Sequence, residues 1–152
     1  VIHDLTQPVH ASCVAVEGCG LLILGPSGAG KSSLALQIIG LGGQLVADDR
    51  VVLRPQVGQL IASAAQGLAG LVEARGLGLM RLGFVEQAPV VLVADLAQSS
   101  PSRLPQPCDI QITDVALPLI RAANRPNVAY EAMALLRVGT PPFFLNPETP
   151  VE

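Results

Sequence analysis

Lysine is almost missing from this sequence. Eight of its nine cations are arginine and Lys31 is the one lysine, so whatever that ammonium does is duplicated nowhere else in the chain. Charge of either sign is scarce, at 14% of 152 residues, and the nine cations against twelve anions leave a net charge of −3. No run of Lys or Arg forms a basic stripe, which argues against nucleic acid as a partner. An anionic ligand would therefore need a local site. The three cysteines, Cys13, Cys19 and Cys108, are odd in number and contain no Cys-x-x-Cys pair. That pattern speaks against a disulfide framework or a zinc site and for reduced thiols in the cytoplasm. Every apolar run is broken by Gly, Pro or charge before the ~18 residues a bilayer span requires, so no membrane segment is expected. VIHDLTQPVH at the start lacks the basic and apolar regions of a secretory leader. Apolar residues are what the chain has in quantity: 50% of the total, with a mean hydropathy of +0.51. This excludes a disordered chain and supplies one core, predicting a single domain over 1–140 with an irregular, partly mobile tail over 141–152.

Periodicity predicts short strands over Cys13 to Glu17 and Leu21 to Leu24, joined through Gly18-Cys19-Gly20 as a hairpin. After the second comes GPSGAGKSS, and from Lys31 to about Ile39 the residues Leu34, Ala35, Ile38 and Ile39 fall at helical spacing until Gly40-Leu41-Gly42-Gly43 stops them. Leu45 to Ala47 and Val51 to Leu53 read as strands flanking Asp48-Asp49-Arg50, with Gln59 to Ser63 able to pair back. Between Gly67 and Gly83 glycine is too frequent for a helix interior, which predicts loops around one short strand near Leu71 to Glu73. Pro89 to Ala94 reads as a strand buried on both faces, followed by a proline-rich loop over Ser99 to Pro107. A further strand is expected over Ile110 to Leu119, then a capped helix over Asn127 to Leu136 with Ala129, Met133 and Leu136 inward. The fold class is α/β, a mixed sheet with flanking helices.

Gly25-Pro26-Ser27-Gly28-Ala29-Gly30-Lys31-Ser32 matches G-x-x-x-x-G-K-S/T between an apolar strand and a helix. Such a loop lets backbone N–H groups, from Gly25 through Ser33, converge on phosphate oxygens at a helix N-terminus; Lys31 neutralises the terminal phosphates and Ser32 can ligate Mg²⁺. Asp48 and Asp49 end the next strand, at the sheet edge where those phosphates would lie. One acid there can take a proton from an attacking hydroxyl, and the pair can meet Mg²⁺; a plain Asp turn is the competing reading. Asp95, after a five-residue apolar strand, has the position of a Walker-B aspartate or of an ordinary strand-end Asp. His10 and His3 precede the first strand, and Arg75, Arg103, Arg121 and Arg125 are candidates for gripping phosphate.

PVHASCVAVEGCGLLILGPSGAGKSSLAL, LVADDRVVL and VEARGLGLM together resemble the catalytic domain of the HPr kinase/phosphorylase family. The match runs from about His10 through Leu82 and more loosely to Leu136. Its most specific part is Glu73-Ala74-Arg75-Gly76-Leu77-Gly78-Leu79, similar to the family's E-I/V-R-G-L-G-I. The resemblance implies a P-loop kinase fold related to phosphoenolpyruvate carboxykinase. It also implies ATP-dependent, or pyrophosphate-dependent, phosphorylation of a serine on HPr, a phosphocarrier of the sugar phosphotransferase system, and phosphate-driven removal of that group. By position, Lys31 and Ser32 would hold phosphate and Mg²⁺; Asp49 would be base and reverse acid, and a metal neighbour, with Asp48 beside it; Glu73 would be a second Mg²⁺ ligand. His10 matches the family's histidine before the first strand, and Arg103 in Ser102-Arg103-Leu104 resembles its later Arg-Leu. Family members form hexamers and commonly carry a further N-terminal domain, so the resemblance implies either a short form or an excised catalytic part. The family's P-G-R-N segment appears only as Asn124-Arg125-Pro126-Asn127, which places kinase ahead of phosphorylase activity. A small-molecule kinase of the shikimate-kinase type and a nucleotide-binding regulator without turnover are the alternatives.

Overall fold

A computed structural model describes residues 1–148. Strands β1 (Val9–His10), β2 (Ser12–Val16) and β3 (Cys19–Leu24) lead into helix α1 (Lys31–Gly40). Then come β4 (Gln44–Ala47), β5 (Arg50–Gln56), β6 (Gln59–Ala64), β7 (Leu71–Ala74), β8 (Gly78–Arg81), β9 (Gln87–Asp95), β10 (Asp109–Ile112), β11 (Val115–Arg121) and helix α2 (Val128–Val138). The α/β class read from the sequence is what the chain adopts. Among the described residues no helix is long and apolar enough to cross a membrane.

The main sheet runs β1-β5-β6-β9-β3-β2-β4, with β11 on β9 and β10 on β11. Because β1 and β2 are separated only by Ala11, one stretch of chain pairs with β5 at one end of this order and with β3 and β4 at the other. The sheet is thereby curled, with one apolar face turned inward. Alternation along β2 divides its side chains between two cores: Cys13 and Ala15 face the inside of the curl, while Val14 and Val16 face the helices. In β3 the same rule sends Leu22 inward and Leu21 and Ile23 to Leu34, Ala35 and Ile38 of α1. The central strand β9 breaks the rule once. Gly20 pairs with Val90 but Leu21 with Leu92, so Val91 is an extra residue, a β-bulge. Val90 and Val93 consequently share the inner core, while Leu92 and Ala94 share the helix-side core. The two strands approach so closely there that a Cβ on Gly20 would lie 2.8 Å from the Pro89 carbonyl oxygen.

Three expectations change. The glycine-dense segment contains a hairpin, β7 with β8, rather than one strand among loops, because Gly76 and Gly78 occupy the turn and its exit. Ile110 to Leu119 is two strands, since Thr113-Asp114 turns the chain between the paired Ile112 and Val115. Asn127 precedes α2 without a side-chain cap bond; instead Arg125 grips Glu131 of the first turn through Nε at 3.2 Å and through its Nη2. Ala129, Met133 and Leu136 are buried as expected. Residues 141–148 are irregular, and the last part of the expected tail, 149–152, lies outside the described residues.

Candidate active site

Every strand-to-helix crossing exposes N–H groups at the helix start. Here the crossing from β3 to α1 is the glycine loop, and its compactness is built in: a Cβ on Gly25 would meet the Cβ atoms of Leu96 at 3.1 Å and Ala29 at 3.2 Å. Lys31 is buried and curls over the loop, Nζ donating to the carbonyls of Gly25 (2.8 Å) and Pro26 (3.0 Å). The loop, α1 and the hairpin β7–β8 enclose a pocket of about 700 Å³. It is lined on the polar side by Ser27, Gly28, Lys31, Ser32, Ser33, Asp48, Asp49, His10 and Glu73, and on the apolar side by Leu36, Leu68, Leu71 and Leu79. Gly25, Pro26 and Ala29 complete the loop behind this lining.

The two neighbouring acids do different things. Asp48 is buried, and its carboxylate accepts from the Ser32 hydroxyl, at 2.9 Å to Oδ1 and 2.8 Å to Oδ2. Asp49 is exposed, and Nε2 of His10 stands 3.1 Å from its Oδ1. Its backbone is unusual: φ is +68°, and the Arg50 N–H reaches across it to the Asp48 carbonyl at 2.8 Å. A non-glycine residue in this region costs of order 1–3 kcal/mol and persists where surrounding structure fixes it. Here the Ala11 N–H holds the Asp49 carbonyl at 3.3 Å. This sharp turn points successive carboxylates apart, one inward to the helix start and one outward to the pocket mouth.

Glu73 and Arg75 enter the same pocket from β7 and its turn, and the Arg75 guanidinium lies over the loop, within 3.6 Å of where a Gly28 Cβ would be. Among the described residues no three His, Cys, Asp or Glu side chains converge closely enough to hold a metal alone. The donors present, the Ser32 hydroxyl with the carboxylates of Asp48, Asp49 and Glu73 in one pocket, are hard oxygens. They suit Mg²⁺, which binds through one or two carboxylates together with substrate phosphates.

Arg103 is not brought to this pocket. The loop after β9 is tied to the segment before α2 by Ala123 N–H to the Gln98 carbonyl (2.9 Å), and its end is tied to β11 by Leu119 N–H to the Cys108 carbonyl (3.0 Å). Arg103 therefore lines a separate hollow with Leu104, Arg121, Arg125 and Glu131, which shares no residue with the first. Asp95, paired with Leu24 at the base of the loop, is not part of the pocket lining; its carboxylate accepts from the Ala97 N–H (2.9 Å) and Gln98 Nε2 (2.7 Å), as a strand-end Asp does in a turn. One pocket residue escaped sequence reading. Ser12 is fully buried, yet its hydroxyl donates to Asp48 Oδ1 at 2.5 Å. The only signal was a polar residue at the head of the row Ser12, Val14, Val16.

Fold and pocket together define a class of α/β domain in which a strand, a glycine loop and a helix start form one wall of a cleft and carboxylates after the next strand form the other. Within that class, the chain belongs to the HPr Serine kinase C-terminal domain family, whose model matches residues 4–85. It is 36% identical over 134 residues to the HPr kinase/phosphorylase of Geobacillus thermodenitrificans, covering 80% of this chain and 43% of that one. It is 46% identical over 72 residues to that of Clostridium tetani, covering 47% of this chain and 24% of that one. The chain thus spans less than half the length of these relatives. The structure of the Hpr(Ser) kinase/phosphatase from Coxiella burnetii superimposes with a TM-score of 0.73 at 27% identity, over 88% of this chain and 95% of that chain.

Proposed function

We propose that this domain transfers phosphate from ATP, or from pyrophosphate, to a serine of an HPr-type phosphocarrier protein. The observation that carries the reading is the division of labour at Asp48-Asp49, one carboxylate sealed against Ser32 at the helix start and the other presented with His10 at the pocket mouth. A serine hydroxyl is a weak nucleophile, so a carboxylate must take its proton as the oxygen–phosphorus bond forms and the bond to the leaving phosphate breaks. Asp49 is the accessible acceptor, and His10 keeps its carboxylate aimed outward. Lys31, Arg75 and the loop N–H groups Gly28 to Ser33 would face the phosphates. Ser32, with Glu73 and the Asp pair nearby, would hold Mg²⁺. Bound Mg²⁺-nucleotide supplies the transferable group and neutralises charge that builds on the phosphate oxygens. In the reverse direction inorganic phosphate would attack the phosphoserine phosphorus, forming pyrophosphate as the bond to the serine oxygen breaks, and Asp49 would return the proton to that oxygen.

The test is incubation of the purified chain with ATP, Mg²⁺ and an HPr-type protein, followed by intact mass and site mapping. One phosphate on serine is expected. Asp49→Asn should lower the rate by about 10²-fold or more while metal-free nucleotide still binds, because Asn tolerates the same positive φ but cannot accept the serine proton. ATP binding with no transfer to any phosphocarrier would overturn the reading in favour of a nucleotide-binding regulator.

A further inference from the structure

We infer that Ser12 is a positioning residue for the metal side of this site, acting through Asp48 on the Ser32 hydroxyl. The inference rests on the nucleotide-binding reading above and deepens it.

Ser12 sits on β2 with its Cα opposite Ile23 of β3, in the row whose other members, Val14 and Val16, pack against the helices. An apolar residue there would continue that row. Instead a fully buried hydroxyl donates to Asp48 Oδ1 at 2.5 Å, and Asp48 is itself buried. Asp48 thus receives two donors from two elements, Ser12 on β2 and Ser32 at the start of α1. The chemistry of a hydroxyl decides what this does. Ser32 has one proton and two lone pairs; with the proton committed to Asp48, both lone pairs are directed away from that carboxylate and are available to a cation. A carboxylate free to rotate would not commit that proton in a fixed direction. Ser12, itself fully buried, limits that freedom by holding Oδ1, one of the oxygens that also accepts from Ser32. The arrangement is that of a ligand held by a hydrogen-bonded partner one layer back, where loss of the partner changes metal affinity by about tenfold or more.

The test compares equilibrium binding of ADP with and without Mg²⁺, by calorimetry, for the wild-type chain, Ser12→Ala and Ser12→Cys. Ser12→Ala is expected to bind metal-free ADP as the wild type does but to lose about tenfold of the extra affinity that Mg²⁺ confers. Ser12→Cys, which keeps the volume with a weaker donor, should fall between and covers the case in which alanine fails to fold. An undiminished Mg²⁺ increment in both variants, or an equal loss with and without Mg²⁺, would overturn the inference and leave Ser12 as packing. Absence of any Mg²⁺ increment in the wild type would instead overturn the nucleotide reading on which it stands.

Discussion

Asp49 and His10 are 39 positions apart and each is at least half exposed, so their 3.1 Å approach is made by backbone pairing rather than by burial. His10 pairs with Arg50 across β1 and β5, which brings its ring beside the residue preceding Arg50. His10→Asn should therefore lower the transfer rate about tenfold without altering nucleotide affinity, a split read from kcat against the KM for ATP. Lys31 is a different case, buried and bonded to two loop carbonyls. Lys31→Met should abolish the rise in Tm on adding Mg²⁺-nucleotide, since no second lysine can replace the charge. At Cys13 burial pushes the thiol up to about 12 from its ordinary value of 9.0. The thiolate is the reactive form, so iodoacetamide at pH 8 should label Cys19 and Cys108 and spare Cys13. Between pH 9 and about 12 the unfolded chain releases this proton while the folded one keeps it, so folding stability falls as pH rises through that window. Cys13→Ala should flatten that part of the alkaline unfolding curve.

Among the elements, the β3–β9 pair leaves no room for a side chain at Gly20. Gly20→Ala sets a Cβ 2.8 Å from the Pro89 carbonyl oxygen, and neither backbone can retreat without disturbing the bulge at Val91. A loss of about 1–3 kcal/mol is expected from such overpacking, seen as a Tm lower by roughly 3–10 °C. An unchanged Tm would mean that the bulge relaxes. The hairpin β7–β8 behaves differently. Leu77 and Leu79 are exposed, the Leu82 N–H closes the hairpin's open end on the Gly70 carbonyl (2.7 Å), and the unit is held to the rest of the fold by the buried Val72 and by the Val85 N–H on the Leu45 carbonyl (2.9 Å). It delivers Glu73 and Arg75 to the pocket.

At the scale of the molecule, curling gives the sheet an inner core that no helix covers. Ala11, Cys13, Ala62 and Ala88 are small, and they let the strands bend over Leu22, Leu53 and Leu60. Global opening should be required to exchange the amides of β2, β3 and β9, which are paired on both sides, whereas 99–107 and 141–148 should exchange at once. Hydrogen exchange read by mass spectrometry checks this; fast exchange in β9 would contradict a closed curl. The pocket lies at the margin of this rigid unit, with the loop and Asp48 on it and Glu73 on the hairpin beside it.

Much of this was legible from residues alone because it is local. Gly25 through Ser32 carry their conformation in their own composition, α1 is marked by Leu34, Ala35 and Ile38 and ended by glycine, and the double acid stands beside the loop's sheet edge once strand order is assumed. The helix-side and inner rows of β2 and β3 follow from period-two alternation. Tertiary structure decided the rest, because it depends on register between distant segments. Which of two adjacent carboxylates is buried follows from the positive φ at Asp49 and from Ser12, contributed by β2. The tie from the loop after β9 to the segment before α2 carries Arg103 to another hollow, and no spacing in the sequence encodes that path. The bulge at Val91 reverses the faces of β9, and one inserted residue is enough to do so, since the side-chain period of a strand is two.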